Sequence, residues 1–329
     1  MRRCTLIGLA LVSVVLLALG SCGAVYLGRR VSEDAGRYPK RDITMVVQAA
    51  AGGTSDLVAR TMAKEMEKFL QGRIVVGNRP GASGAIALTY VAGRPADGYT
   101  LSYVPVEIAM LKYRGHDVTP DRFTLLGQVL TVPAVIVVRP DSPYQTLKDL
   151  IAAAESGTVT LATAGAGSIW DVSGQLLGRR AGVSFKAVPF DGGAPSVAAV
   201  LAGRVNTAVV GASEAVAAVK DGRLRALAVF DVKRNDQIPH VPTGAEAGVD
   251  IAIGGWGGIA APAGLPAGIK SKLVDAVKRA AESESYATTL TKAGATPVYL
   301  GPDEFTAFAR SECRRFCALM RTPTPAVSR

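Results

Sequence analysis

Histidine and cysteine are scarce in this chain: two histidines, His116 and His240, and four cysteines, Cys4, Cys22, Cys313 and Cys317, among 329 residues. None of these is spaced as a set of metal ligands, which argues against a structural zinc site and a histidine-based metalloenzyme. No metal and no cofactor is expected. Aromatic side chains make up only 6% of the sequence, too few to interleave with basic residues as the stacking platform that single-stranded nucleic acid requires. No nucleic-acid partner is expected either. A phosphate-binding P-loop and a G-x-S-x-G elbow are both missing, and Gly165-Ala-Gly-Ser-Ile-Trp170 lacks the third glycine of a dinucleotide fingerprint. What is abundant is apolar: 49% of residues are hydrophobic and 19% charged, with a net charge of +10, a balance that excludes disorder and is long enough for about two domains.

Part of that apolarity lies at the start. Arg2 and Arg3 precede an uncharged run that continues to Gly28, densest over residues 6–19, the pattern of a secretory signal. A retained membrane anchor is the competing reading, because the run exceeds the roughly 18 residues of a span. Leu19-Gly20-Ser21-Cys22 has the form of a bacterial lipobox. Residues 1–21 are therefore expected to be a lipoprotein signal peptide, Cys22 the lipidated first residue of the mature chain, and 22–40 a tether to the envelope.

From Ile43 onward short β-branched runs alternate with longer amphipathic ones, as in βαβ units on largely parallel sheets. Strands are expected at 43–49, 73–77, 99–104, 135–139, 159–163, 185–189, 207–210, 224–230, 257–261 and 297–300. Helices are expected at 84–92, 146–155, 168–180, 194–202, 214–220, 266–293 and 302–320, besides one after residue 56 in which Val58, Met62, Met66 and Phe69 share a face and Gly72 supplies the stop. Two runs look like passages between domains, the proline-bounded stretch 133–140 and the glycine-rich stretch 254–262. If both cross, domain 1 comprises 41–133 plus 255–329, domain 2 comprises 134–254, and a cleft lies between them.

One device occurs twice. Ala50, Ala51, Gly52, Gly53, Thr54, Ser55 and Asp56 form a short loop that leaves a strand and opens a helix, and so do Thr163, Ala164, Gly165, Ala166, Gly167 and Ser168. A helix start presents unpaired N–H groups and about half a positive charge, so a carboxylate can be held there without arginine. Ser55, Asp56 and Ser168 are equally suited to be plain helix caps. Two such loops in different domains, at the C-terminal ends of strands, point to a shared ligand site. Phe190, Gly192, Gly193 and Trp170 are expected to shape the rest of it. Trp170 is suited either to stack on a ligand or to wall the pocket. Asp171 would repel a carboxylate, so it points away or selects a ligand bearing an amine. Cys313 and Cys317, four apart on one helix, are expected to be thiols because a bridge would strain the helix.

Motifs in a particular order extend this picture: Tyr38-Pro39, the 50–53 loop, Asn78-Arg-Pro-Gly81, Ala96-Asp-Gly-Tyr-Thr-Leu101, the 163–168 loop, Val188-Pro-Phe-Asp-Gly192, Gly222-Arg-Leu-Arg-Ala-Leu-Ala228, Val241-Pro-Thr243, Ala261-Pro-Ala-Gly264 and Pro302-Asp-Glu-Phe305. Together they resemble the substrate-binding proteins of tripartite tricarboxylate transporters, the Bordetella uptake gene family, over nearly all of residues 38–320. The resemblance implies an α/β, two-domain periplasmic-binding-protein-like (type II) fold with two crossover strands and a ligand cleft between the domains. It also implies a monomeric, extracytoplasmic, non-enzymatic receptor that holds a small carboxylated metabolite through backbone amides of the two loops and passes it to membrane permease subunits. Gly211 stands where the family often has Asn, so a bulkier or less polar ligand is expected. The alternatives are an orphan receptor feeding a sensor kinase and an α/β enzyme using the same cleft, the latter opposed by the lack of a nucleophile with an adjacent base.

Overall fold

The computed structural model describes residues 38–321, so Cys4, the signal segment 1–21, Cys22 and most of the 22–40 tether lie outside the described residues. The β-branched run ITMVV forms β1 (Ile43–Val47), with β2 (Ile74–Asn78) and β3 (Thr100–Pro105) parallel to it on either side. α1 (Thr54–Leu70) and α2 (Ala85–Ala92) make the crossovers. α1 buries Val58, Met62 and Met66 on one face, as their spacing dictates. It ends on Gln71, which adopts the left-handed conformation (φ 53°) in place of the expected Gly72.

β4 (Phe123–Val138) is a single strand of 16 residues. Its first part, through Pro133, pairs antiparallel with β9 (Gly254–Pro262), and from Ala134 it pairs with β7 (Thr207–Gly211) and β8 (Arg225–Phe230). Proline has no N–H for a ladder, and the change of partner falls at Pro133. Beyond β7 the sheet continues through β5 (Thr160–Thr163) to β6 (Lys186–Pro189), giving the order β2-β1-β3-β9-β4-β7-β5-β6, while β10 (Thr296–Leu300) joins the first part of β4. The sheet thus has a first part built on β1–β3, β9 and β10 and a second built on β5–β8, joined by β4 and by the chain entering β9. Glycines in β9 admit close neighbours: a methyl at Gly257 would lie 1.9 Å from the Tyr103 hydroxyl, and one at Gly254 2.3 Å from the Val132 carbonyl.

The second part carries α3 (Leu147–Ala154), α4 (Ile169–Ala181), α5 (Gly193–Leu201) and α6 (Ala212–Lys220). The chain closes with α7 (Ala267–Ala281), α8 (Glu284–Lys292) and α9 (Pro302–Arg321) against the first part. The helix expected over 266–293 is two helices, because Ser283 turns extended (ψ 142°) and its hydroxyl accepts from the Tyr286 N–H as a fresh N-cap. No helix among the described residues is long and apolar enough to cross a membrane. Cys313 and Cys317 are free thiols.

Candidate functional site

Where the two parts of the sheet face each other, a cavity of about 330 Å³ opens at the starts of α1 and α4. The first part supplies Gln48, Thr54, Ser55, Ser83, Tyr103 and Glu107. The second supplies Ala164, Gly165, Ala166, Ser168, Trp170, Phe190, Gly192, Gly193 and Glu214, and Trp256 of β9 closes one wall. The parts touch across it. The Ala50 N–H donates to the Asp191 carbonyl at 3.0 Å. The Ser83 hydroxyl donates to the Ala166 carbonyl at 2.7 Å, and the Thr54 and Ser213 hydroxyls lie 2.6 Å apart. Ser83 and its neighbour Ala82 both hold positive φ (49° and 48°) on the cavity wall, a strained conformation of the kind that collects at functional sites.

The two glycine loops are built alike. In the first, the Gly52 N–H donates to Asp56 (3.0 Å) and the Thr54 N–H to Glu214 Oε1 (3.1 Å). In the second, the Gly167 N–H donates to Asp171 (2.6 Å) and the Ile169 N–H to Glu107 Oε1 (2.9 Å). Each loop is therefore clasped once by an aspartate of its own helix and once by a glutamate from across the cleft. The amides proposed for a ligand carboxylate are in good part occupied by the protein's own carboxylates. Gly193 lines the cavity and also makes room behind it, since a methyl there would sit 2.0 Å from Glu214 Oε2. What comes close to this glycine is a side chain of the protein. The Glu214 carboxylate also accepts from the Gly211 N–H at 2.9 Å, capping its own helix.

Residues 58–323 match the family described as the tripartite tricarboxylate transporter family receptor. The chain belongs to that family. BugT of Bordetella pertussis is 31% identical over 297 residues, covering 86% of this chain and 90% of BugT. The structure of the periplasmic binding protein BugD superimposes with a TM-score of 0.83 at 29% identity, covering 86% of this chain and 98% of BugD. MatC from Rhodopseudomonas palustris with bound malate gives 0.80 at 31% identity, covering 86% and 100%. The family receptor is thus a two-domain, extracytoplasmic solute-binding protein of the periplasmic type, and the proteins it resembles are binding proteins.

In this receptor, Thr54, Ser55, Ala164, Gly165, Ala166, Ser168, Trp170, Phe190, Gly192 and Gly193 line the cavity, whereas Ala51, Gly52, Gly53, Asp56, Thr163, Gly167 and Gly211 do not. Several of these seven act behind the wall. Gly211 faces Trp170 and Thr54, which a methyl would approach to 3.1 Å. Asp56 anchors the first loop while bound to Arg60 and Asn78. Asp171 is turned away onto its own loop and Gln175. Trp170 is buried and forms wall, as does Trp256, whose Nε1 donates to Glu312. His116 and His240 lie away from the cavity.

The residues that the loops alone do not reveal are Gln48, Ser83, Tyr103, Glu107 and Glu214. Burial pushes the carboxyls of Glu107 and Glu214 above the usual glutamate range, and the charge of Glu214 adds to the effect on Glu107. Burial, outweighed by hydrogen bonds from Arg60, Gly52 and Asn78, leaves Asp56 below the usual aspartate range. A signal for Glu214 was present in its place three residues after Gly211, the spacing of a capping box. Nothing local marks Glu107. Among the described residues no His, Cys, Asp or Glu cluster is arranged to hold a metal ion.

Proposed function

We propose that this receptor captures a small carboxylated solute between the two parts of the sheet and delivers it, unchanged, to the membrane permease subunits of a tripartite transporter, tethered to the envelope as a lipoprotein through Cys22. The observation that carries this reading is a cavity whose two walls come from different parts of the sheet and are joined by hydrogen bonds across it. On this reading 41–133 plus 255–329 and 134–254 separate and close around the solute, bending at β4 and at the entry to β9. Malate bound to MatC supports a carboxylate as the ligand group.

The ligand carboxylate is placed against the amides of Ser55 and Trp170. Each is the second residue of its helix and lines the cavity, and the hydrogen-bond ladders begin only at Leu57 and Val172. Native mass spectrometry of the purified protein, followed by chemical identification of what it releases, tests the proposal. A carboxylated solute recovered unchanged after incubation is expected, and conversion of that solute would assign an enzyme instead.

A further inference from the structure

Resting on the reading that this cavity takes a carboxylated solute, we infer that the solute also carries an ammonium group, which faces Glu107 and Glu214, and that simple dicarboxylates are not its ligands. The charge of the wall is one-sided. Glu107 and Glu214 line the cavity, Asp191 stands exposed at its rim, and no Lys, Arg or His is among the described lining residues. Two basic groups near the loops are engaged or are not part of the wall: Arg60 is bound to Asp56 and Asn78, and the exposed Arg114 lies against Gly167 without lining the cavity. Buried carboxylates without a counter-charge are costly, and the helix-end amides that hold these two offset only part of that cost. A dicarboxylate would add negative charge to them. An ammonium would supply the missing cation.

A second observation is independent of charge. Gln48 lines the same cavity at 8% exposure, its Nε2 donates to the Ser55 hydroxyl at 2.8 Å, and its buried Oε1 has no partner. A buried amide oxygen requires a donor, and a dicarboxylate ionised at neutral pH has none on its carboxylates. An ammonium has three. Gln48 and the glutamates belong to one cluster: Ser55 also bonds the Tyr103 phenol, on which the charges of Glu107 and Glu214 act. Trp170 and Phe190 line the same enclosure.

The experiment is isothermal titration of the full-length receptor, stripped of bound solute, with succinate and adipate as dicarboxylates that carry no donor and with aspartate, 4-aminobutyrate and glycine as ammonium carboxylates. At least one ammonium carboxylate should bind about tenfold or more tightly than either dicarboxylate, the size of one charge-assisted hydrogen bond. E107Q keeps an acceptor for the Ile169 N–H and should lose about tenfold for that ligand, while E107D, which keeps the charge, retains more of its affinity. Should E107Q not fold, the ranking in the unaltered protein decides. Dicarboxylates binding as tightly as every ammonium carboxylate, or E107Q leaving the preferred ligand unaffected, would overturn the inference and leave carboxylate capture standing. Binding of neither class would overturn both.

Discussion

The loops at 50–56 and 163–168 share one plan and differ in how it is balanced. Each has a glycine amide bound by an aspartate four residues on, and a helix-start amide bound by a glutamate from across the cleft. In the first loop the aspartate is neutralised by Arg60 and bonded by Asn78. In the second, Asp171 has, among the described residues, Gln175 besides its amide. The first loop is therefore a finished structural piece, whereas the second depends more on what crosses the cleft to meet it. Closure is shared differently too. Glu214 bonds two amides at once, one on each side, while Glu107 bonds the Ile169 amide opposite and one within its own segment.

The largest break in this comparison is Gly193→Val. Its side chain displaces the Glu214 carboxylate, stranding the Thr54 and Gly211 amides, so a loss of roughly 3 kcal/mol in denaturant unfolding and complete loss of co-purified solute are expected. Gly167→Ala, by contrast, meets only the movable end of Arg114 and a positive φ of 73°, so about 1 kcal/mol is expected. Equal losses at the two glycines would contradict the different anchoring of the glutamates.

A smaller effect separates the aspartates. Asp56→Ala should cost about 2 kcal/mol and Asp171→Ala about 1 kcal/mol in the same assay, because the former strands Arg60 and Asn78 as well as an amide. The reverse order would mean that the first loop is not the better anchored.

The smallest effect is on pH dependence. A glutamate whose carboxyl is raised in the folded state holds its proton better folded than unfolded, so its contribution is fully present below about 4.5, the ordinary glutamate value, and is lost as pH rises through the raised value. Asp56 works oppositely, stabilising above about 3.8 and losing that contribution as pH falls below it. The melting temperature should therefore rise as pH drops from 7 toward 5, and E107Q should flatten that rise while D56N leaves it unchanged. An unaltered slope in E107Q would remove Glu107 from this account.

Much of the fold was legible because periodicity is local. The helical face of Val58, Met62 and Met66 and the strand-loop-helix units at 43–56 and 159–168 stand where apolar spacing put them. β4 was half-seen: Gly127, Gln128 and Pro133 interrupt its pattern, and only pairing with β9 and β10 makes residues 123–133 a strand. Trp170 and Ser168 were recognised as lining the pocket because they sit on a glycine loop that announces itself. Glu107 and Glu214 were not, because the amides they hold lie 62 and 160 residues away along the chain.

The sequence by itself determined the alternation of strands and helices, the two glycine loops and the supply of helix-start amides, since each follows from backbone conformation within a few residues. Only the tertiary structure decided what those amides hold. The charge inside the cleft depends on which carboxylates are carried across it and which arginines are left outside, so a chain with a net charge of +10 encloses a cavity whose charged side chains are acidic.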